Sequence, residues 1–208
     1  MDKQNHSNKI FFIIAGCFLL LYCLWNIWQI VEPFIFPSGI RISDFVQALI
    51  FATILLTLSI LLLFRKNNIA IFIFLVILGL IEAYSLLSVV IFLIKDLHVY
   101  WQHSVFYLLS ILSNAFDLVA VVLLAVFSLI SRINKQSNIR KVWFLPAILQ
   151  LINLIIMFIQ YKTLSISLSF IAYVSIALKS SLYIVAFVFM GLALTNKAQL
   201  SQEKANST

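Results

Sequence analysis

Long apolar runs separated by short polar ones set the rhythm of this chain. A helix needs roughly 20 apolar residues to cross ~30 Å of hydrocarbon. Six stretches reach about that size: residues 10–31, 44–64, 69–94, 104–131, 142–160 and 169–195. They predict an all-α fold, a polytopic bundle of six transmembrane helices. The third, fourth and sixth stretches exceed the minimum and are expected to tilt or protrude. The longest break, residues 32–43, carries Pro33, Pro37 and Gly39 and is too short for a soluble domain. Residues 1–208 therefore read as one transmembrane domain.

Charge sets the expected orientation. With the N-terminus inside, the inner side holds Lys3, Lys9, Arg65, Lys66, Arg132, Lys135, Arg140, Lys141, Lys197 and Lys204. The outer side holds only Arg41, Lys95 and Lys162. Cytoplasmic loops carry the excess of Lys and Arg, so both termini are expected in the cytoplasm. Aromatic residues fit this placement: Trp25, Trp28, Tyr100, Trp101 and Tyr161 fall near the outer interface and Trp143 near the inner one. The net charge of +7 then faces anionic lipid headgroups, and no nucleic acid is expected as a partner.

Composition narrows the class. The 208 residues are 63% hydrophobic and 10% charged, with a mean hydropathy of +1.11. A soluble domain carries about a quarter charged residues. A soluble enzyme, a nucleic-acid-binding domain and a disordered chain are excluded. The expected location is the cell membrane, most simply a bacterial plasma membrane, with the lipid bilayer as first partner.

The basic start followed by an apolar run has the layout of a signal peptide, but the run is too long and no small-x-small site ends it. Ile14-Ala15-Gly16-Cys17 resembles the lipobox of bacterial lipoproteins. Only about five apolar residues precede it, and a long apolar run follows, so an ordinary first span is expected. Cys17 and Cys23, six apart, fall on different helix faces and read as free thiols.

No H-E-x-x-H, G-x-S-x-G, Walker A or G-x-G-x-x-G pattern occurs. His98 and His103 read as solvated loop residues. No catalytic residue, cofactor or metal is expected. With 4 glycines, close glycine-mediated helix crossings must be few, leaving Ser, Ala and Thr for that task.

Three ionisable residues lie inside the stretches: Glu82, Asp117 and Lys179. Each costs ~2.5–3.5 kcal/mol at a helix centre, so each calls for a partner or water. Lys179 sits about 15 Å from the outer end of its helix at 1.5 Å per residue, too deep to snorkel fully. Polar stripes accompany them. Tyr22, Asn26 and Gln29 share one face of the first helix, and Ser110, Asn114 and Asp117 one face of the fourth. Gln150, Asn153 and Gln160 share a sector of the fifth; Ser175, Lys179 and Tyr183 lie along the sixth. Nearly all fall at the midplane or in the outer half, while the inner halves are almost purely apolar. The expectation is a polar vestibule open to the outside, floored by Glu82, Asp117 and Lys179 and closed below by an apolar plug. Asn114 and Asn153 complete the candidate ligand or ion-pair site. Two acids and one base leave one carboxyl unmatched. A Glu82–Lys179 or Asp117–Lys179 pair that only fixes helix register accounts for the same residues.

The segment Arg140-Lys141-Val142-Trp143-Phe144-Leu145-Pro146 resembles an entry motif of small uncharacterised multi-pass membrane proteins of Gram-positive bacteria. That resemblance implies a six-span layout and no activity. In size and span number the chain is also similar to the substrate-capture subunits of energy-coupling-factor vitamin transporters, which implies ligand binding from outside. Two functions follow as expectations. One is binding or transport of a small cationic or zwitterionic solute. The other is a non-transporting sensor, immunity factor or assembly subunit that acts on a partner membrane protein and keeps its charges for structure. An intramembrane enzyme is not expected, since no nucleophile or metal set accompanies the acids.

Overall fold

Leu, Ile, Val and Phe crowd the apolar runs, and in lipid a helix is the way such a segment satisfies its own backbone. The computed structural model describes residues 2–35, 42–64, 68–96, 104–133, 142–163 and 170–205. It forms six helices: α1 (Asp2–Ile35), α2 (Ile42–Phe64), α3 (Asn68–Asp96), α4 (Ser104–Ile133), α5 (Leu145–Thr163) and α6 (Phe170–Ala205). Five contain stretches long and apolar enough to cross a membrane: Lys9–Trp28, Ile69–Lys95, Val105–Ile130, Leu145–Thr163 and Tyr173–Thr195. The described apolar stretch of α2, Ala48–Phe64, is shorter.

Several boundaries differ from the sequence expectation. Helix α1 continues past Pro33 to Ile35, since a proline in the last turn removes only one backbone bond. Helix α6 continues from its apolar part to Ala205 through Lys, Gln, Glu and Ala, all good helix formers. Helix α5 starts at Leu145, three residues later than expected. Residues 142–144 form a turn in which Leu145 N–H donates to the Val142 carbonyl at 3.0 Å. Pro146 then occupies the first helical turn, where its missing N–H costs little. His98, His103, Tyr100, Trp101, Arg65, Lys66, Arg140 and Lys141 lie outside the described residues.

Each helix packs on the next in sequence, α6 returns to α1, and α4 also touches α6, so the six form a closed ring. The outer faces are apolar all round: Leu24, Ile50, Leu80, Leu108, Ile155 and Leu178 are 49–66% exposed. Such a surface is that of a chain embedded in lipid. Cys17 also points outward, whereas Cys23 is buried and donates to the Ala52 carbonyl at 3.2 Å.

One half of the ring is a dry core. It contains Phe12 and Leu19 of α1, Leu58 of α2, Leu75 of α3, Leu124 of α4 and Phe187 of α6, all buried. Glycine matters here more than expected. A Cβ on Gly16 would sit 2.8 Å from Leu63 Cγ and 3.0 Å from Leu63 N, so α1 and α2 cross closely at that point. A Cβ on Gly191 would run into the backbone carbonyl oxygen of Trp143, so α6 lies directly against the turn that opens α5. That contact gives the small Gly191 and the Trp143 entry segment a common structural purpose.

Candidate functional site

Helix periodicity brings Ser110, Ser113, Asn114 and Asp117 of α4 against Gln150, Asn153 and Gln160 of α5. The result is a polar seam. Gln150 Nε2 and Asn153 Nδ2 both donate to Asp117 Oδ1, at 2.8 and 2.7 Å. The Ser113 hydroxyl donates to Asn153 Oδ1. Gln160 Nε2 donates to Ser110 Oγ at 2.7 Å, and Ser110 donates on to the Phe106 carbonyl at 3.1 Å. Gln150 and Asn153 are buried, and their bonds to Asp117 meet the need of a buried amide for a partner. From α3, Ser85 donates to Asn114 Oδ1 at 2.8 Å, and Asn114 Nδ2 donates to the Ser110 carbonyl at 2.8 Å.

Beside this seam lies a partly enclosed cavity of about 430 Å³ to which all six helices contribute. Tyr22 comes from α1, Phe51 from α2, Glu82 from α3 and Lys179 and Tyr183 from α6, while α4 and α5 supply the seam. Glu82 lies at the middle of α3, within the electrostatic reach of Asp117. Lys179 Nζ lies 5.6 Å from the centre of the Tyr22 ring, within cation–π range. Tyr22 stacks on Tyr183 at 4.5 Å, and Tyr183 meets Phe187 at 4.5 Å, so an aromatic column links the cavity wall to the dry core.

Glu82, Asp117, Lys179, Asn114 and Asn153 thus all line one cavity. Asp117 is held by the two α5 amides. Asn26 donates to the Tyr22 carbonyl of its own helix at 2.8 Å. The side chains of Gln29 and Gln47 lie outside the described residues. Sequence reasoning saw Gln150 in a stripe but did not single it out, although its offset of three from Asn153 placed both over Asp117. It also missed the apolar part of the wall, Phe51, Leu154, Met157 and Ile176, which apolar composition hides among lipid-facing neighbours. Among the described residues, no group of three or more His, Cys, Asp or Glu is arranged to hold a metal ion. Comparison with protein-family models, with curated proteins and with solved structures finds no match to this chain.

Proposed function

We propose that this chain is a six-span integral membrane protein of the bacterial plasma membrane, with both termini in the cytoplasm. Its cavity opens to the outside and takes up a small cationic or zwitterionic solute, for binding or for transport. Glu82 and Asp117 are the counter-charges. The reading assigns no catalysis and no cofactor, and its partners are the bilayer and the solute.

The observation that carries it is the cavity: about 430 Å³, walled by Glu82, Asp117, Lys179 and four side-chain amides, with Glu82 at the middle of its helix. Structure alone does not call for such a void, because close packing is what holds helices together in lipid. The ten-to-three bias of cations supports the orientation. A second reading has one observation in its favour. The α4–α5 seam satisfies Asp117 from within the protein, as a purely structural polar cluster in a sensor, immunity or assembly subunit would.

The test uses Asn114→Cys in a background of Cys17→Ala and Cys23→Ala. A membrane-impermeant maleimide added to intact cells is expected to label position 114. Labelling only after permeabilisation contradicts an outward-opening cavity.

A further inference from the structure

Resting on the reading of the cavity as a solute site, we infer that the cavity has a side window between α5 and α6. Its ligand is an amphiphile of the bilayer, with an ammonium head inside the cavity and an alkyl chain left in lipid. Helix α5 shows the cavity two neighbouring stripes. Gln150 and Asn153 turn toward α4 and bond Asp117. Leu154 and Met157, at i and i+3, line the cavity from the next sector. On α6, Ile176 and Ser180 line the same cavity one turn apart. Leu154, Met157 and Ile176 are half-buried, while nearby Ile155 and Leu178 are 52% and 49% exposed on the lipid-facing surface. The two helices are held together above and below this level. Toward the outer end the Phe158 and Tyr173 rings meet at 5.9 Å. Toward the inner end Gly191 lies against the Trp143 carbonyl of the turn that opens α5. Between those contacts the fit is looser: α5 packs more extensively on α4, and α6 on α1, than the two pack on each other.

Each part of the wall suits a different part of a ligand. Glu82, Asp117 and Lys179 together give it one more acid than base, so the charge it complements is an ammonium. Leu154, Met157 and Ile176 offer that head nothing and match methylene groups instead. A chain that leaves between them stays in hydrocarbon throughout, so only the head changes its surroundings. At about 30 Å³ per water, the cavity holds roughly fourteen waters, room for an ammonium head and its first methylenes. A wholly water-soluble ammonium would leave the apolar side of the wall without a partner. A fatty acid would set a third carboxylate beside two.

The experiment uses the full chain in nanodiscs of phosphatidylglycerol, whose headgroup carries no ammonium. The probe is octylammonium with a diazirine in its chain, and labelled residues are mapped by peptide mass spectrometry. Saturable labelling is expected at Leu154, Met157 and Ile176, and non-saturable labelling at lipid-facing Ile155 and Leu178. Plain octylammonium should displace the saturable labelling at concentrations at least about tenfold lower than ethylammonium, because buried methylenes add affinity. Octanoate should not displace it. Glu82→Gln combined with Asp117→Asn should weaken the saturable labelling at least about tenfold. Leu154→Trp fills the window and should remove saturable labelling at Ile176 while external labelling of Asn114→Cys persists, which shows the bundle still folded. The inference is overturned if ethylammonium or octanoate competes as well as octylammonium, or if no labelling saturates. External labelling of Asn114→Cys separates the two levels. If it persists in any of these cases, the outward cavity stands and the amphiphile falls; if it fails too, both fall.

Discussion

The two halves of α4 show two ways of holding a helix in a bundle. From Ser110 to Asp117 the inward face is polar, and its side chains bond across to α3 and α5. From Ala120 to Phe127 it is apolar, and Ala120, Val121 and Leu124 are fully buried. The division continues through the ring. In the dry half, Ser59 and Thr195 turn their hydroxyls onto carbonyls of their own helices, Leu55 and Gly191. They contribute small size and not cross-links. In the cavity half, directed hydrogen bonds replace close packing, and a void survives beside them. The dry half is specified by shape, the cavity half by donors and acceptors. That division leaves one half close-packed and the other with a cavity of about 430 Å³.

Substitutions should break the halves differently. Phe187 is fully buried where the aromatic column enters the dry half. Phe187→Ala should cost about 3–5 kcal/mol in denaturant titration of the reconstituted protein. Gly191→Ala should cost about 3 kcal/mol by the same measurement, because a backbone carbonyl cannot yield as a side chain can. Gly79→Ala is its control: the added Cβ meets only Val121 Cγ1 at 3.7 Å, and stability should change by less than about 1 kcal/mol. In the cavity half the chemistry matters more than the volume. Asp117→Leu leaves two buried amides without their acceptor and should cost about 2–3 kcal/mol. Asp117→Asn keeps the acceptor and should cost under about 1 kcal/mol. Ser85→Ala removes one α3–α4 hydrogen bond and should cost about 0.6 kcal/mol. Equal effects of Asp117→Asn and Asp117→Leu would show that charge, not hydrogen bonding, holds the seam.

Much of this division was legible in the sequence. Helical spacing alone put Ser110, Asn114 and Asp117 on one face, and the apolar run 118–127 announced the dry half. The three intramembrane charges stood out because lipid makes charge expensive. What spacing along one helix does not contain is the partner across the gap. It could not show that Gln150 and Asn153 of α5 both donate to Asp117. Nor did it find the roles of Gly16 and Gly191, since a small residue signals a close approach only when the opposing backbone is known. The α5 start was misjudged because hydropathy counts Val142 and Trp143 as helix, whereas the turn ahead of Pro146 is a backbone matter.

The central claim is that one half of the ring holds water and the other excludes it. A cysteine walked along α4, with Cys17 and Cys23 replaced by alanine, tests this most directly. In nanodiscs, a charged water-soluble thiol reagent should modify cysteines at Ser110 and Asn114 at least about tenfold faster than at Val121 or Leu124, since only a thiol reached by water ionises and reacts. Equal rates along the helix, or no reaction at Asn114, would contradict the account.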